Sequence, residues 1–270
     1  MVTYAATLDV PRPVVDYLAR LLAAHRRRIG TPKGSRVLGC FRQAVLVLRW
    51  FRERGCVHCL ARNAGVSQAT GYRYLHEGID VLAGQAPELH EVLTRCRRDG
   101  CSHVVLDGIL IPTERLASTT EAGNDWWYSG KHRTFGGNIQ VLAAPDGTPL
   151  WTSDVEPGSV HDMAAARTHA LPTLYWAASQ LHLPTLADAG YHGAGAGVHT
   201  PVIKPAGRPY HALHVDNRTY NQLLRGLRAL SERAAAELTQ RWRTLHYITL
   251  SPSRIGDIAR AAVVLNNRWK

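Results

Sequence analysis

The sequence predicts two domains, an all-α one over residues 1–98 and a mixed α/β one over residues 99–270. Three observations carry that division. Up to about Glu91 the apolar residues recur at helical spacing: Val14, Leu18, Leu21 and Leu22 form one stripe, and Phe41, Val45, Leu48 and Phe51 another. After Gly100 short, β-branched apolar runs take over, the first being His103 to Pro112. The charge is also uneven: residues 1–75 hold 13 basic and 3 acidic residues, residues 76–100 hold 3 and 5, and residues 101–270 hold 16 and 13.

Composition excludes several classes. The 270 residues are 45% hydrophobic and 20% charged, which fits neither a disordered chain nor a membrane-embedded one. Unbroken apolar runs such as Ala44 to Leu48 fall far short of the roughly 18 residues a spanning helix needs. Met1 to Pro13 lacks the basic and apolar stretches of a secretion signal, so an intracellular, cytoplasmic protein with no membrane partner is expected. The formal net charge of +11, concentrated at the front, points to a polyanion as partner. Five cysteines cannot all pair. Cys56-Val57-His58-Cys59 has zinc-like spacing, but Cys96 and Cys101 are a poorly spaced second half, and reduced thiols are the plainer reading.

Within the first domain, Arg26-Arg27-Arg28 with Gly30, Pro32 and Gly34 marks a basic loop. Leu60 to Leu75 fits a helix-turn-helix. Ala61 is small where two helices would cross, Gly65 suits a left-handed turn, Val66 fills the core under the turn, and Ser67 caps the second helix. Gln68, Thr70 and Arg73 would then face a major groove, where amide and guanidinium groups read base edges. Gly71 departs from that pattern, since a bulky aliphatic residue usually occupies the position. An ordinary helical hairpin is the alternative.

The second domain reads as three strands, a helix, two strands and two helices. The strands are His103–Pro112, Gly137–Ala143 and Leu150–Val155, with hairpin chemistry at Pro145-Asp146-Gly147. A helix capped by Ser159 runs toward Trp176. Leu183–Asp188 and Val198–Lys204 are further strands, followed by a long helix over Asn217–Leu245 and a last one over Ser253–Asn266. The ribonuclease-H-like fold has this element order, with a mixed sheet.

Three carboxylates stand out. Asp107 lies inside an apolar strand and Asp188 ends another, places where an ionised carboxylate is costly unless paired or bound to a cation. Glu232 lies on the long helix, off the centre of the predicted core stripe Leu223, Leu227, Leu230, Ala234, Leu238, Trp242 and Leu245. An Arg228–Glu232 surface pair, worth only ~0.3–0.5 kcal/mol, is the plainer account of Glu232 from the residues alone. If the three acids meet, their mutual repulsion calls for a cation, and oxygen-only ligands suit Mg2+ or Mn2+. Two such ions would hold both the attacking and the leaving oxygen of a phosphoryl displacement. Asp162, three residues after Ser159, reads as helix-start chemistry, and Glu237 as solvated. No Walker lysine, His-Glu-x-x-His or Gly-x-Ser-x-Gly pattern occurs.

Several segments resemble a known group. Leu106-Asp107-Gly108-Ile109-Leu110-Ile111-Pro112 is similar to the first-aspartate strand of DDE transposases of the insertion-sequence-5 and Harbinger-like type. Tyr128-Ser129-Gly130-Lys131-His132, Gly137-Asn138-Ile139-Gln140-Val141, Pro157 to Asp162 and Ala187 to Tyr191 resemble the signatures that follow. Leu230-Ser231-Glu232-Arg233 with Arg241-Trp242-Arg243 resembles the third-acid helix. The likeness runs from about Trp50 to Ile258. It implies a ribonuclease-H-like domain with a two-metal site, in which Asp107, Asp188 and Glu232 are catalytic and bind Mg2+ or Mn2+. Lys131, His132 and Arg133 become candidate phosphate contacts. Ile109, Phe135 and Thr239 depart from the family pattern.

The function expected is therefore that of a DNA transposase: double-stranded DNA as partner, hydrolysis at element ends, strand transfer into a target, and two copies together when two ends are synapsed. The alternatives are a non-catalytic DNA-binding regulator built on a degenerate domain, and a nuclease acting outside transposition.

Overall fold

In a computed structural model, residues 7–116, 118–119 and 123–269 are described, with the side chains of Tyr210, Ser231 and Glu232 left out. The chain forms two compact units. The first holds residues up to Ala86, together with Leu238–Tyr247 and residues from Asp257 onward; the second holds Pro87–Glu237 and Ile248–Gly256.

The first unit begins with helix α1 (Arg12–Arg28), which buries Val14, Val15, Leu18 and Leu22. Its last turn carries His25, Arg26, Arg27 and Arg28, favourable charges at the negative end of the helix dipole. Helix α2 (Cys40–Glu53) packs its apolar stripe, including Leu48, Trp50 and Phe51, inward. Helices α3 (Val57–Asn63) and α4 (Gln68–Ala83) are joined by a tight turn. Gly65 adopts φ 72° in that turn, and Ser67 Oγ accepts a hydrogen bond from Thr70 N at 3.3 Å, satisfying one open donor at the start of α4. Gly71 explains its own lack of a side chain: a methyl there would lie 2.7 Å from Ala61 Cβ, so the two helices cross at their smallest residues. Chain from much later in the sequence completes this unit. Trp242 is fully buried, edge-on to Phe51 (6.1 Å) and to Trp269 (5.2 Å).

The second unit opens with α5 (Leu89–Arg98) and then builds one mixed sheet. Its strands are β1 (Val104–Pro112), β2 (Tyr128–Ser129), β3 (Thr134–Ala143), β4 (Pro149–Thr152), β5 (Glu156–Pro157), β6 (Thr185–Leu186) and β7 (Val198–His199). The order β2-β3-β1-β6-β7 has β4 and β5 also on β3. β1 is antiparallel to β3 and parallel to β6, and β6 is parallel to β7. Between β5 and β6 the chain crosses over through α6 (Asp162–His169) and α7 (Leu171–Gln180). This is the mixed α/β architecture that the sequence predicts.

The differences are local. The helix expected to run unbroken to Trp176 breaks at Ala170, whose φ of −129° is not helical, and the next helix starts at Leu171 with Pro172 in its first turn. His161 rather than Ser159 caps α6, its ring Nδ1 accepting from Met163 N at 3.3 Å. The strand expected over Val198–Lys204 pairs only at Val198–His199; beyond it, the Asn221 side chain takes the place of a strand partner, bonding Val202 N (2.8 Å) and Val202 O (3.0 Å).

Helix α8 (Val215–Arg241) is the longest, and α9 (Ile255–Asn266) is the last. The predicted core stripe of α8 holds only in its second half. Ala234 and Leu238 are buried, as are Trp242 and Leu245 just past the helix end, which comes at Arg241 and not at Leu245, but Leu223 and Leu227 are 64% and 47% exposed while Asn221 and Leu224 point inward. From Leu224 to Ala234 the buried face turns by roughly 80° at 100° per residue, so no single straight stripe describes the helix. Among the described residues no helix is long and apolar enough to cross a membrane.

Candidate active site

Alternation along β1 separates the two faces of the sheet. Val104 and Leu106 join the core formed with α5, α6 and α7, whereas Val105 packs with Leu186 of β6 and Leu224 of α8. By the same period, Asp107 points to the α8 side and Gly108 to the α6 side. Val105 is paired with Leu186 across the parallel β1–β6 ladder. Two residues farther along each chain come Asp107 and Asp188, and Asp188 keeps an extended backbone (φ −80°, ψ 179°). The two aspartates thus end up side by side on one face, on chains about 4.8 Å apart.

Each is oriented by its own backbone. Gly108 N donates to Asp107 Oδ1 at 3.0 Å, and Gly190 N donates to Asp188 Oδ1 at 2.9 Å. Burial, followed by the negative charge of Asp188, pushes the Asp107 carboxyl up to about 6; the positive charge of Arg228 on α8 offsets part of this. A half-buried, mutually repelling pair of carboxylates with oxygen-only donors is the kind of place a hard divalent cation fits. Among the described residues, no group of three or more His, Cys, Asp or Glu has the arrangement of a metal site. Glu232 lies on α8, one turn after Arg228, with its side chain outside the described residues.

On the α6 side of β1 lies a residue assigned to helix-start chemistry. Asp162 is indeed the first residue of α6, but its carboxylate reaches beyond that helix. Oδ2 accepts from Lys131 Nζ at 2.7 Å, and Oδ1 accepts from Asn138 Nδ2 at 2.8 Å. Burial alone would push this carboxyl up, yet the bonds from Lys131 and Asn138 outweigh it and hold the group below the ordinary range. The network continues inward: Gln140 Nε2 donates to Asn138 Oδ1 at 3.3 Å, and Tyr191 Oη donates to Gln140 Oε1 at 2.7 Å. Burial raises the Tyr191 phenol, so it stays a donor. Sequence reasoning missed these partners. Asp162 is 24 residues from Asn138 and 31 from Lys131, distances at which no local spacing rule operates.

Of the other predicted contacts, Lys131, His132 and Arg133 are all exposed, and Arg133 adopts φ 52° at the tip of the β2–β3 hairpin. Lys131 and His132 line a cavity of about 250 Å³ with Leu110, Gly158 and His161. In the first unit, Ser67, Gln68 and Arg73 are exposed and Thr70 is half-buried; Arg73 donates to Thr70 Oγ1 at 2.9 Å.

Comparison with curated proteins and with solved structures finds no match. A family model described as DDE superfamily endonuclease matches residues 106–267, which is more than half of the chain and takes in Asp107, Asp188 and α8. On that match, the chain belongs to the DDE superfamily endonucleases.

Proposed function

We propose that this chain is a DNA transposase of the insertion-sequence-5 and Harbinger-like type, which cuts phosphodiester bonds at element ends and joins the freed ends to target DNA. The observation that carries the reading is the placement of Asp107 and Asp188 on one face of adjacent strands in a DDE-family chain. Their carboxylates, with that of Glu232, would hold one or two divalent cations, Mg2+ or Mn2+. Such ions supply Lewis-acid activation of water and neutralise charge on phosphoryl oxygens. Support for Glu232 comes from its helix. Leu224 packs on Val105 and Leu186, and Arg228 acts on Asp107, so α8 runs alongside the pair.

The protein groups would do the rest. Lys131, His132 and Arg133 take phosphate oxygens beside the reacting bond. Water attacks phosphorus, and the P–O3′ bond breaks to leave a 3′-hydroxyl and a 5′-phosphate. That hydroxyl then attacks a target phosphodiester, one P–O bond forming as another breaks, with no protein–DNA covalent intermediate. In the first unit, α3 and α4 would act as a helix-turn-helix, with Gln68, Thr70 and Arg73 in the major groove and Ser67 at the phosphate backbone.

The test is cleavage of duplex DNA bearing the element's ends. Asp107→Asn, Asp188→Asn and Glu232→Gln each abolish Mg2+-dependent cleavage and retain DNA binding; parent-level cleavage in one variant removes that residue from the site. Binding weakens with salt at a slope of roughly −0.9 per phosphate neutralised, and a flat response rejects the DNA-binding role.

A further inference from the structure

Three aspartates share an electrostatic neighbourhood without sharing a face of the sheet. Asp107 and Asp188 lie on the α8 side, whereas Asp162 comes up from the α6 side and closes on Gly108. A methyl group at Gly108 would lie 2.6 Å from Asp162 Oδ1 and 3.0 Å from Tyr191 Oη. The missing side chain, one residue after Asp107, is what lets the second network press against the strand from behind.

We propose that Asp162 is a positioning residue, which tethers Lys131 at the edge of the site and braces the Asp107 strand through Gly108, and that it is not a third cation ligand. The inference rests on the reading of Asp107 and Asp188 as the reacting pair.

Both Asp162 oxygens are engaged, one by an ammonium that already compensates the carboxylate's negative charge and one by an amide, so the group has less to gain from a cation than Asp107 has. Exposed ion pairs are weak tethers in general. This one is asymmetric: the Lys131 side chain is 60% exposed, but that of Asp162 is 12% exposed and pinned by Asn138. The lysine is therefore anchored to a fixed point while its charge stays open to the cavity of about 250 Å³ beside it, where a DNA phosphate can enter. Lys131 also feels the negative charges of Asp188 and Asp107, so its ammonium sits within electrostatic reach of both. The same bonds run from Asp162 through Asn138 and Gln140 to Tyr191, whose N donates to Asp188 O at 3.1 Å. One relay thus links the lysine to the turn that carries Asp188.

The chain has four lysines, Lys33, Lys131, Lys204 and Lys270, so acylation by acetic anhydride can be followed at each by mass spectrometry in the full-length protein. In Asp162→Asn, Lys131 acylates about tenfold faster than in the parent while Lys33 is unchanged, because the hydrogen bond and charge of Asp162 no longer hold the amine protonated. Direct Mn2+ titration gives Asp162→Asn the parent affinity within about threefold, whereas Asp107→Asn loses about tenfold or more. In Mn2+-dependent nicking, Asp162→Asn and the surface variant Lys131→Gln each lower kcat roughly tenfold at constant KM, and the double variant is no worse than either. Lys131→Arg retains most of the parent rate. Unchanged Lys131 acylation, a tenfold loss of Mn2+ affinity in Asp162→Asn, additive losses, or a parent-level kcat in Lys131→Gln overturns the proposal. If the parent neither binds Mn2+ nor nicks DNA, the nuclease reading fails on its own, and the acylation result alone decides whether Asp162 holds Lys131.

Discussion

Asp107 and Asp162 approach the same stretch of β1 from opposite faces, and their carboxyls are shifted in opposite directions. Asp107 is half-buried beside Asp188 and is pushed up to about 6, whereas Asp162 is half-buried beside Lys131 and Asn138 and is held low. Burial acts on both in the same sense, so the partners decide the outcome. One side of the strand is left electrostatically unfinished and the other is already neutralised. On the function proposed above, that asymmetry would distinguish a place for an added cation from a place that supports it.

The largest expected effect separates the two sides in activity. Asp107→Asn and Asp188→Asn should reduce cleavage by about a thousandfold or more, well beyond the effect of Asp162→Asn. Equal losses at Asp107 and Asp162 in a quenched-flow cleavage assay would erase the distinction.

Next comes stability without divalent ions. A carboxyl raised from an ordinary value of 3.8 to about 6 binds its proton more tightly in the folded chain than in the unfolded one. Its contribution is fully present below pH 3.8 and is lost as pH rises through about 6. In EDTA at pH 7.5, where this carboxyl is ionised in both states, Asp107→Asn should therefore stabilise the fold by at most about 3 kcal/mol, the free energy that separates 3.8 from about 6, read as a higher urea midpoint at unchanged slope. Asp162 has the opposite sign. Its low carboxyl adds stability above the ordinary carboxylate value and loses it as acid protonates the group, so Asp162→Asn should destabilise near neutral pH. The same sign for both variants would contradict the contrast.

Gly108→Ala probes where the two sides meet. The added methyl has to displace Asp162 or Tyr191, and about 1–3 kcal/mol of destabilisation by chemical denaturation is expected. The smallest effect lies away from the sheet, at Ser67→Ala, where loss of the α4 cap should remove about 1 kcal/mol, read as a lower urea midpoint.

How much of this was legible depended on whether the signal was local. Asp107 and Asp188 could be read because each is a charge embedded in a short apolar run, and a strand turns that run into burial directly. Gly65, Ser67 and Ala61 were legible for the same reason, since turn and cap chemistry act within a few residues. Asp162 was readable only in part. Its spacing from Ser159 suggested a capping box, but His161 took the cap, and the partners that matter lie on a distant hairpin and strand. The first half of α8 misled for a different reason. Leu223 and Leu227 continue a perfect apolar period, yet the buried face follows Asn221 and Leu224, because Asn221 satisfies the backbone of Val202 and Leu224 fills the gap above β1 and β6. Periodicity registers which residues are apolar; it carries no information about which backbone groups elsewhere need a partner.

The closing of Phe51 by Trp242 and Trp269 also bears on how the protein can be made. Helices α1 to α4 are synthesised first, but their packing is finished only by residues some two hundred positions later. A nascent chain paused before Trp242 would present Phe51 and its neighbours to solvent, as an aggregation-prone intermediate does. Premature stop codons and expression pieces that end near residue 98 would therefore yield an open, sticky bundle, and the first unit would be completed only after the carboxylate-bearing sheet has already been translated.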